Sequence, residues 1–460
     1  FFVAMSAPTA DVRTESAKDA GVTPRAKHVR GRCQGSFAMS AHETSTGGAG
    51  GVNWGSPNNS KIVVTGNGSY LGGCVWSKWG SSLASSSFAD NQLLIDDHAV
   101  VNNTAGLPFQ VAWSDAGIAR SNSMIVTNGG SFSMSAGNHA IAYGNQASNN
   151  TALVTGTDSL WNLGGGSLTV GEGTGAASRV AVNSLTVRNS GVVTNVNRLI
   201  LASGPTASNN SVLVDGGSLY AATIGTSNMM VNSFTLTGGG SVTATNLFSV
   251  TNGNFSVSIS GGTLNVKNSW VSNGTVFVVG DGSQSAMLNV LSGGTNLFAD
   301  RLAITNSATL AGSGFVQATT TVYGTLSPGN LGTGIGALTV RGGLTLNAGC
   351  QSTFDLAAYT TAGTGWDYLS VTNGTLALGG TLRVQLSGGF TPVSSQSYLV
   401  MTNSQALSGV FTNAGNGDTV SVYATPSGQL VGDMRVTLTS RAVVLDNYLP
   451  TRVGTLFFFH

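Results

Sequence analysis

Short runs in which every second residue is apolar recur along most of this chain. Ser211-Val212-Leu213-Val214 and Phe234-Thr235-Leu236 place alternate side chains on one face, the period of a half-buried strand. No comparable stretch sustains the 3.6-residue period of an amphipathic helix. The apolar alternation is broken by Gly-Gly, followed by Ser or Thr, and then resumes. The pairs are Gly129 and Gly130, Gly165 and Gly166, Gly216 and Gly217, Gly239 and Gly240, Gly261 and Gly262, and Gly293 and Gly294. Each supplies the backbone freedom of a sharp corner, and an Asn such as Asn128, Asn252 or Asn373 tolerates the left-handed region in similar corners. The second glycines are spaced by 36, 51, 23, 22 and 32 residues. This predicts a basic coil of roughly 22 to 25 residues, with doubled or lengthened coils between.

A coil of that length holds two or three short strands. Stacking about twelve of them roughly 4.8 Å apart pairs each strand with its equivalents and encloses one apolar column that no single coil could bury. The expected fold is therefore all-β, a parallel β-solenoid. A propeller would need units near 40 to 50 residues with a recurring aromatic signature, and the spacing here is shorter and the Trp residues are scattered.

Composition supports many tight turns. There are 65 glycines in 460 residues, while charged residues make up 8% and hydrophobic ones 41%. The chain has enough apolar content to fold and too few basic residues in its body for a nucleic-acid surface. A net charge of +1 gives little protection against association. No apolar run approaches the ~18 residues of a membrane-spanning helix. Ten charged residues crowd into residues 1–48, among them Arg13, Arg25, Arg30 and Arg32, which marks that segment as an N-terminal arm or linker. The remaining divisions are a parallel solenoid over 49–325, its continuation and a β-rich cap over 326–445, and an apolar tail over 446–460.

The segments NNTALVTGTDSLWNLGGGSLTVGEG (149–173), NNSVLVDGGSLYAATIG (209–225) and GTLSPGNLGTGIGALTVRGGLTLNAG (324–349) resemble the passenger regions of autotransporter-like, repeat-rich bacterial surface proteins. WDYLSVTNGTLALGGTLRVQLSGGF (366–390) is similar to the segment that closes such folds. The resemblance covers about 100–440 and implies a right-handed, single-stranded parallel β-helix displayed outside the cell. The residues after 445 are too few for the membrane barrel of that family, so a released passenger or a stand-alone secreted subunit is expected.

Candidate chemistry is sparse. Glycoside hydrolysis needs two carboxyl groups facing one groove, yet Asp96 and Asp97 of Asp96-Asp97-His98 would point to opposite faces of a strand. Asp355 and Asp367 read as isolated turn or capping carboxylates. The histidines His28, His42, His98, His139 and His460 are dispersed. GEGTG at 171–175 lacks the Lys of a phosphate loop and is expected to be a corner. Asp281 in GDGSQ is only a fragment of a calcium site. Cys33 and Cys74 could pair in an oxidising compartment, which would leave Cys350 a buried thiol.

No catalytic, cofactor or metal residue is therefore nominated, and the chain is read as non-enzymatic. The apolar ends, Phe1 and Phe2 with Phe457, Phe458 and Phe459, are candidate assembly contacts for a head-to-tail homopolymer. The expected role is a secreted, self-associating subunit of a bacterial surface fibre or matrix. The alternatives are a monomeric adhesin for surface glycans or matrix and, in a different class, a polysaccharide lyase or hydrolase.

Overall fold

The computed structural model describes residues 61–72, 88–103, 108–114, 117–329 and 334–451, and the backbone of two earlier strands, Phe37–Met39 and Thr44–Thr46. The described residues form strands and turns without a helix. The strands assemble into long parallel sheets, the solenoid-like arrangement expected from the alternation. The chain divides into two compact units, Phe1–Thr243 with Asn252–Val257, and Ala244–Thr251 with Ser258–His460.

In the first unit one sheet runs through Phe37–Met39, Lys61–Thr65, Gln92–Asp96, Ser123–Thr127, Thr151–Thr155, Ser184–Arg188, Asn210–Asp215 and Asn232–Thr237, each parallel to the next. A second sheet takes the strand that follows each of these, among them Tyr70–Gly72, Val100–Asn103, Ser131–Met134 and Leu160–Asn162. A third, short sheet stacks Phe88–Ala89, Ala119–Arg120, Gln146–Ser148 and Arg179–Ala181. Inward residues at alternate positions, such as Leu93, Met124, Ala152, Leu185, Val212 and Phe234, are buried in register. Phe132 stacks on Trp161 at 6.4 Å between ring centroids and meets Phe109 edge-on at 5.0 Å. The third sheet closes over small residues, Ala112, Ala119, Ala142, Ala147, Val180, Ala202 and Ala207, because strands that approach so closely leave no room for larger ones.

The coils are not of one length. Equivalent points of successive coils are 31, 28, 33, 27 and 22 residues apart from Asn91 to Asn232. In the second unit Leu302 pairs with Thr320 and Leu344 with Leu376, steps of 18 and 32 residues by their numbers. Glycine spacing predicts a basic coil of roughly 22 to 25 residues with doubled or lengthened coils between, and most of these steps are longer than that basic length. Strand pairing fixes the register of a few residues per coil, and the corner segments vary freely between them. Phe37–Met39 and Thr44–Thr46 pair in parallel with the following coil, at Ile62 to Val64 and Tyr70 to Gly72. The arginines that marked the arm all precede Phe37, so charge density and backbone pairing part company there.

A column of asparagines binds these unequal coils together. Asn91, Asn122, Asn150, Asn183, Asn210 and Asn232 are all buried, one per coil, each immediately before a strand of the first sheet or, at Asn210 and Asn232, its first residue. The backbone N–H and the Nδ2 of Asn150 both donate to Oδ1 of Asn183, each at 3.0 Å, and the same double bond repeats along the column. The preceding residue in each coil is exposed. At Asp90, Ser121, Asn149, Val182 and Asn209 it is left-handed, with φ between 53° and 63°.

The second unit repeats the parallel stacking and then reverses it. The strand Thr381–Leu386 pairs in parallel with Thr419–Ala424, and Tyr368–Thr372 with Ser397–Asn403. Two antiparallel strands, Leu430–Leu438 and Ala442–Pro450, then bridge Thr419–Ala424 to Ser397–Asn403. The two parallel columns are sewn to each other, and neither terminal strand is left with a free edge in that sheet. Arg435 Nε lies 2.7 Å from Asp446 Oδ1 across the hairpin. The Ala442–Pro450 strand runs through the 446 boundary that sequence placed at the start of the tail.

Candidate functional surfaces

Four of the repeat pairs sit where a strand of the leading sheet gives way to the strand that follows it, whereas Gly165 and Gly166, like Gly293 and Gly294, lie between two strands of the other sheet. In five of the six pairs the first glycine is left-handed, with φ from 66° at Gly216 to 84° at Gly165, and in the remaining pair it is the second, Gly262, at 95°. The second glycine of a pair has a different task. A Cβ on Gly130 would stand 2.5 Å from the carbonyl oxygen of Ile95 in the preceding coil, so the corner stacks only if that carbon is absent.

Asp96-Asp97-His98 forms such a corner. Asp97 and His98 are both left-handed and exposed, and Asp96 Oδ1 accepts from Asn128 Nδ2 at 2.8 Å. Asp281 accepts from the N–H and hydroxyl of Ser283 and the N–H of Gln284, and these bonds hold its pKa down at about 2. Its carboxylate is occupied by its own turn. The expected corner at GEGTG is displaced: Gly171 to Gly173 end the strand Ser167–Gly173, and the turn follows. A Cβ on Gly171 would strike the Asn210 side chain, so this glycine serves the asparagine column. His139 is buried, accepts the Phe109 N–H at Nδ1 and donates from Nε2 to the Ser135 carbonyl, and burial lowers its pKa.

Cys350 is a buried free thiol, pushed up to about 11 chiefly by burial. Cys33, Cys74, Phe1, Phe2, Phe457, Phe458 and Phe459 lie outside the described residues. Among the described residues no group of three or more His, Cys, Asp or Glu side chains could hold a metal ion.

Two carboxylates treated as unrelated in the sequence are brought together. Asp355 lies in the strand Gln351–Leu356 and Asp367 just before Tyr368–Thr372, and both are buried. Asp367 accepts the N–H of Asp355 and that of Gly336, from the preceding coil, each at 2.9 Å. Gly329 roofs this carboxyl, and a Cβ there would lie 2.7 Å from Oδ1. Burial pushes the Asp367 pKa up to about 8 against the lowering effect of its two N–H donors, and the Asp355 charge adds to the rise. Asp355 is raised by burial too, and its Oδ1 has no hydrogen-bond partner. The pair locks a corner between coils. The chain that covers it carries Tyr359, half exposed, stacked on Trp366 at 6.2 Å, with Tyr398 edge-on to both. Thr360, Thr361 and Thr364 follow Tyr359 along the chain, and the hydroxyls of Thr361 and Thr364 bond to each other at 2.6 Å.

The outward face of the first unit's leading sheet is a regular surface. Its central column reads Val63, Leu94, Ile125, Leu153, Thr186, Leu213 and Thr235, all half-buried and in register. On one side stand Gln92, Ser123, Thr151, Ser184, Ser211 and Ser233, and on the other Thr65, Asp96, Thr127, Thr155, Arg188, Asp215 and Thr237. The alternation visible in sequence predicts such a face. Its columns emerge only once the unequal coil lengths are known. No family model and no curated protein matches this chain.

Proposed function

We propose that the chain is a non-catalytic, extracellular structural subunit, a right-handed, single-stranded parallel β-helix that associates with copies of itself in a bacterial surface fibre or matrix. The observation that carries this reading is the outward face of the leading sheet: a repetitive, mainly aliphatic stripe between columns of mostly uncharged polar side chains, with Asp96, Arg188 and Asp215 as the charged members. Such a face has little to repel a neighbour and apolar area to bury. The antiparallel closure at Leu430–Leu438 and Ala442–Pro450 opposes strand addition at that sheet, so side contacts, and not the apolar ends, are favoured for assembly. The low charge and high Ser, Thr, Asn and Gly content suit an extracellular setting.

Electron microscopy of the purified protein over a concentration series tests the proposal. Ordered lateral assemblies that grow with concentration are expected, and dispersed single particles at every concentration would refute self-association. A second reading, an adhesin for neutral glycans, is favoured by Tyr359. An exposed tyrosine stacked on a second aromatic ring suits a sugar ring. Loss of glycan-array signal in Tyr359→Ala would support that reading.

A further inference from the structure

We propose that the leading sheet of the first unit pairs face to face with the same sheet of a second copy, about a twofold axis parallel to the strands. This rests on the reading of the chain as a self-associating subunit and names the surface that performs it. The rows of the face, counted from Lys61–Thr65, carry the central residues Val63, Leu94, Ile125, Leu153, Thr186 and Leu213. A twofold axis between the third and fourth rows sets Ile125 against the partner copy's equivalent of Leu153, and Val63 against that of Leu213. The stripe then covers itself.

Charge supports this register. The flanking column holds Asp96 in the second row and Arg188 in the fifth. Within one chain they are three rows apart, about 14 Å, and no ion pair engages either among the described residues. The same axis brings Asp96 of each copy to Arg188 of the other, twice by symmetry, and sets Asp215 against Thr65, so no like charges meet. A shift by one row would break both pairs and misalign the stripe. Six rows of five residues measure about 25 by 15 Å, and side-chain relief brings the burial to about 1,000 Å² in total, the lower limit for a specific interface. A second copy fits because the face is self-complementary in both apolar pattern and charge.

Sedimentation equilibrium of the full chain from about 1 to about 200 µM, the range expected for so small an interface, is the test. Asp96→Arg sets Arg against Arg, Arg188→Asp sets Asp against Asp, and each is expected to weaken the dimer by about tenfold or more. The double variant Asp96→Arg/Arg188→Asp restores the pairing and is expected to return to near wild-type affinity, an outcome that loss of folding in a single variant cannot mimic. Ile125→Lys, at an outward position, abolishes the dimer without changing the circular dichroism spectrum. If the wild type associates and all variants associate equally, this pairing is wrong while the subunit reading stands. If the wild type is monomeric throughout, both fall. A monomer retained on insoluble cellulose through the same stripe would overturn the pairing in favour of a polysaccharide face.

Discussion

Replacing Asn150 by alanine tests the column that holds unequal coils in step. The side chain makes four bonds: its Oδ1 accepts from the N–H and Nδ2 of Asn122 at 3.0 and 2.9 Å, and its Nδ2 donates to Asn183 Oδ1 at 3.0 Å and to the Ala119 carbonyl at 3.2 Å. Each is worth about 1 kcal/mol net. Two of the partners left behind are donors in a fully buried place, each costing about 1 to 3 kcal/mol, so the loss should reach about 4 to 5 kcal/mol. Asn209→Ala is the control, since its side chain is exposed and the change costs only the left-handed backbone preference, about 1 kcal/mol. Stacked repeats need not unfold in one step. Denaturant titration should therefore be read together with amide exchange, in which Thr151–Thr155 and Ser184–Arg188 should lose protection first. If Asn150→Ala costs no more than Asn209→Ala, the asparagines are passengers and the apolar column alone sets the stacking.

Three further outcomes are expected. The folded pKa of Asp367 is raised from 3.8 to about 8, so the folded state holds its proton more tightly. The stability this contributes is full below about pH 4 and is lost as pH rises to about 8; Asp367→Asn should flatten that slope, which is on the order of 5 kcal/mol, and an unchanged pH profile of unfolding would refute it. Gly130→Ala should cost about 2 kcal/mol or more, because the new carbon meets the Ile95 carbonyl, whereas Gly239→Asn, left-handed with open space around it, should cost less than about 1 kcal/mol; equal thermal shifts would count against the corner argument. Cys350 should resist iodoacetamide at pH 8 until denaturant is added, since burial and a pKa near 11 keep it a shielded thiol, and rapid native labelling on peptide mapping would contradict this.

The strands and corners were legible because alternation and Gly-Gly are local signals. Phe234-Thr235-Leu236 shows its buried face without any partner being known. The asparagine column was within reach: SNNTALVTG at 148–156 and SNNSVLVDG at 208–216 are near-copies that contain Asn150 and Asn210, each one residue before Ser or Thr and an apolar alternation. Asn122-Ser123, Asn183-Ser184 and Asn232-Ser233 share that text, but a search for a fixed period passes over members spaced by 22 to 33 residues. The Asp355–Asp367 corner left no local trace. Their meeting depends on an excursion of the chain between them and on Gly336 from another coil, and neither residue type signals such a contact. The charge register of Asp96 and Arg188 likewise exists only once coils are counted, since 92 residues separate the two along the chain.

The sewn-together columns at 397–450 give folding a direction. Leu430–Leu438 and Ala442–Pro450 follow, in synthesis, every coil whose edge they seal. A nascent chain can stack coil upon coil as it emerges, each one templated by the last, but it carries an open parallel edge until these two hairpin strands arrive. A chain interrupted before residue 430 keeps that edge, and with it the capacity to capture stray strands. The hairpin therefore works as a seal written in backbone hydrogen bonds, by which a chain that has closed this parallel edge is distinguished from one that has not.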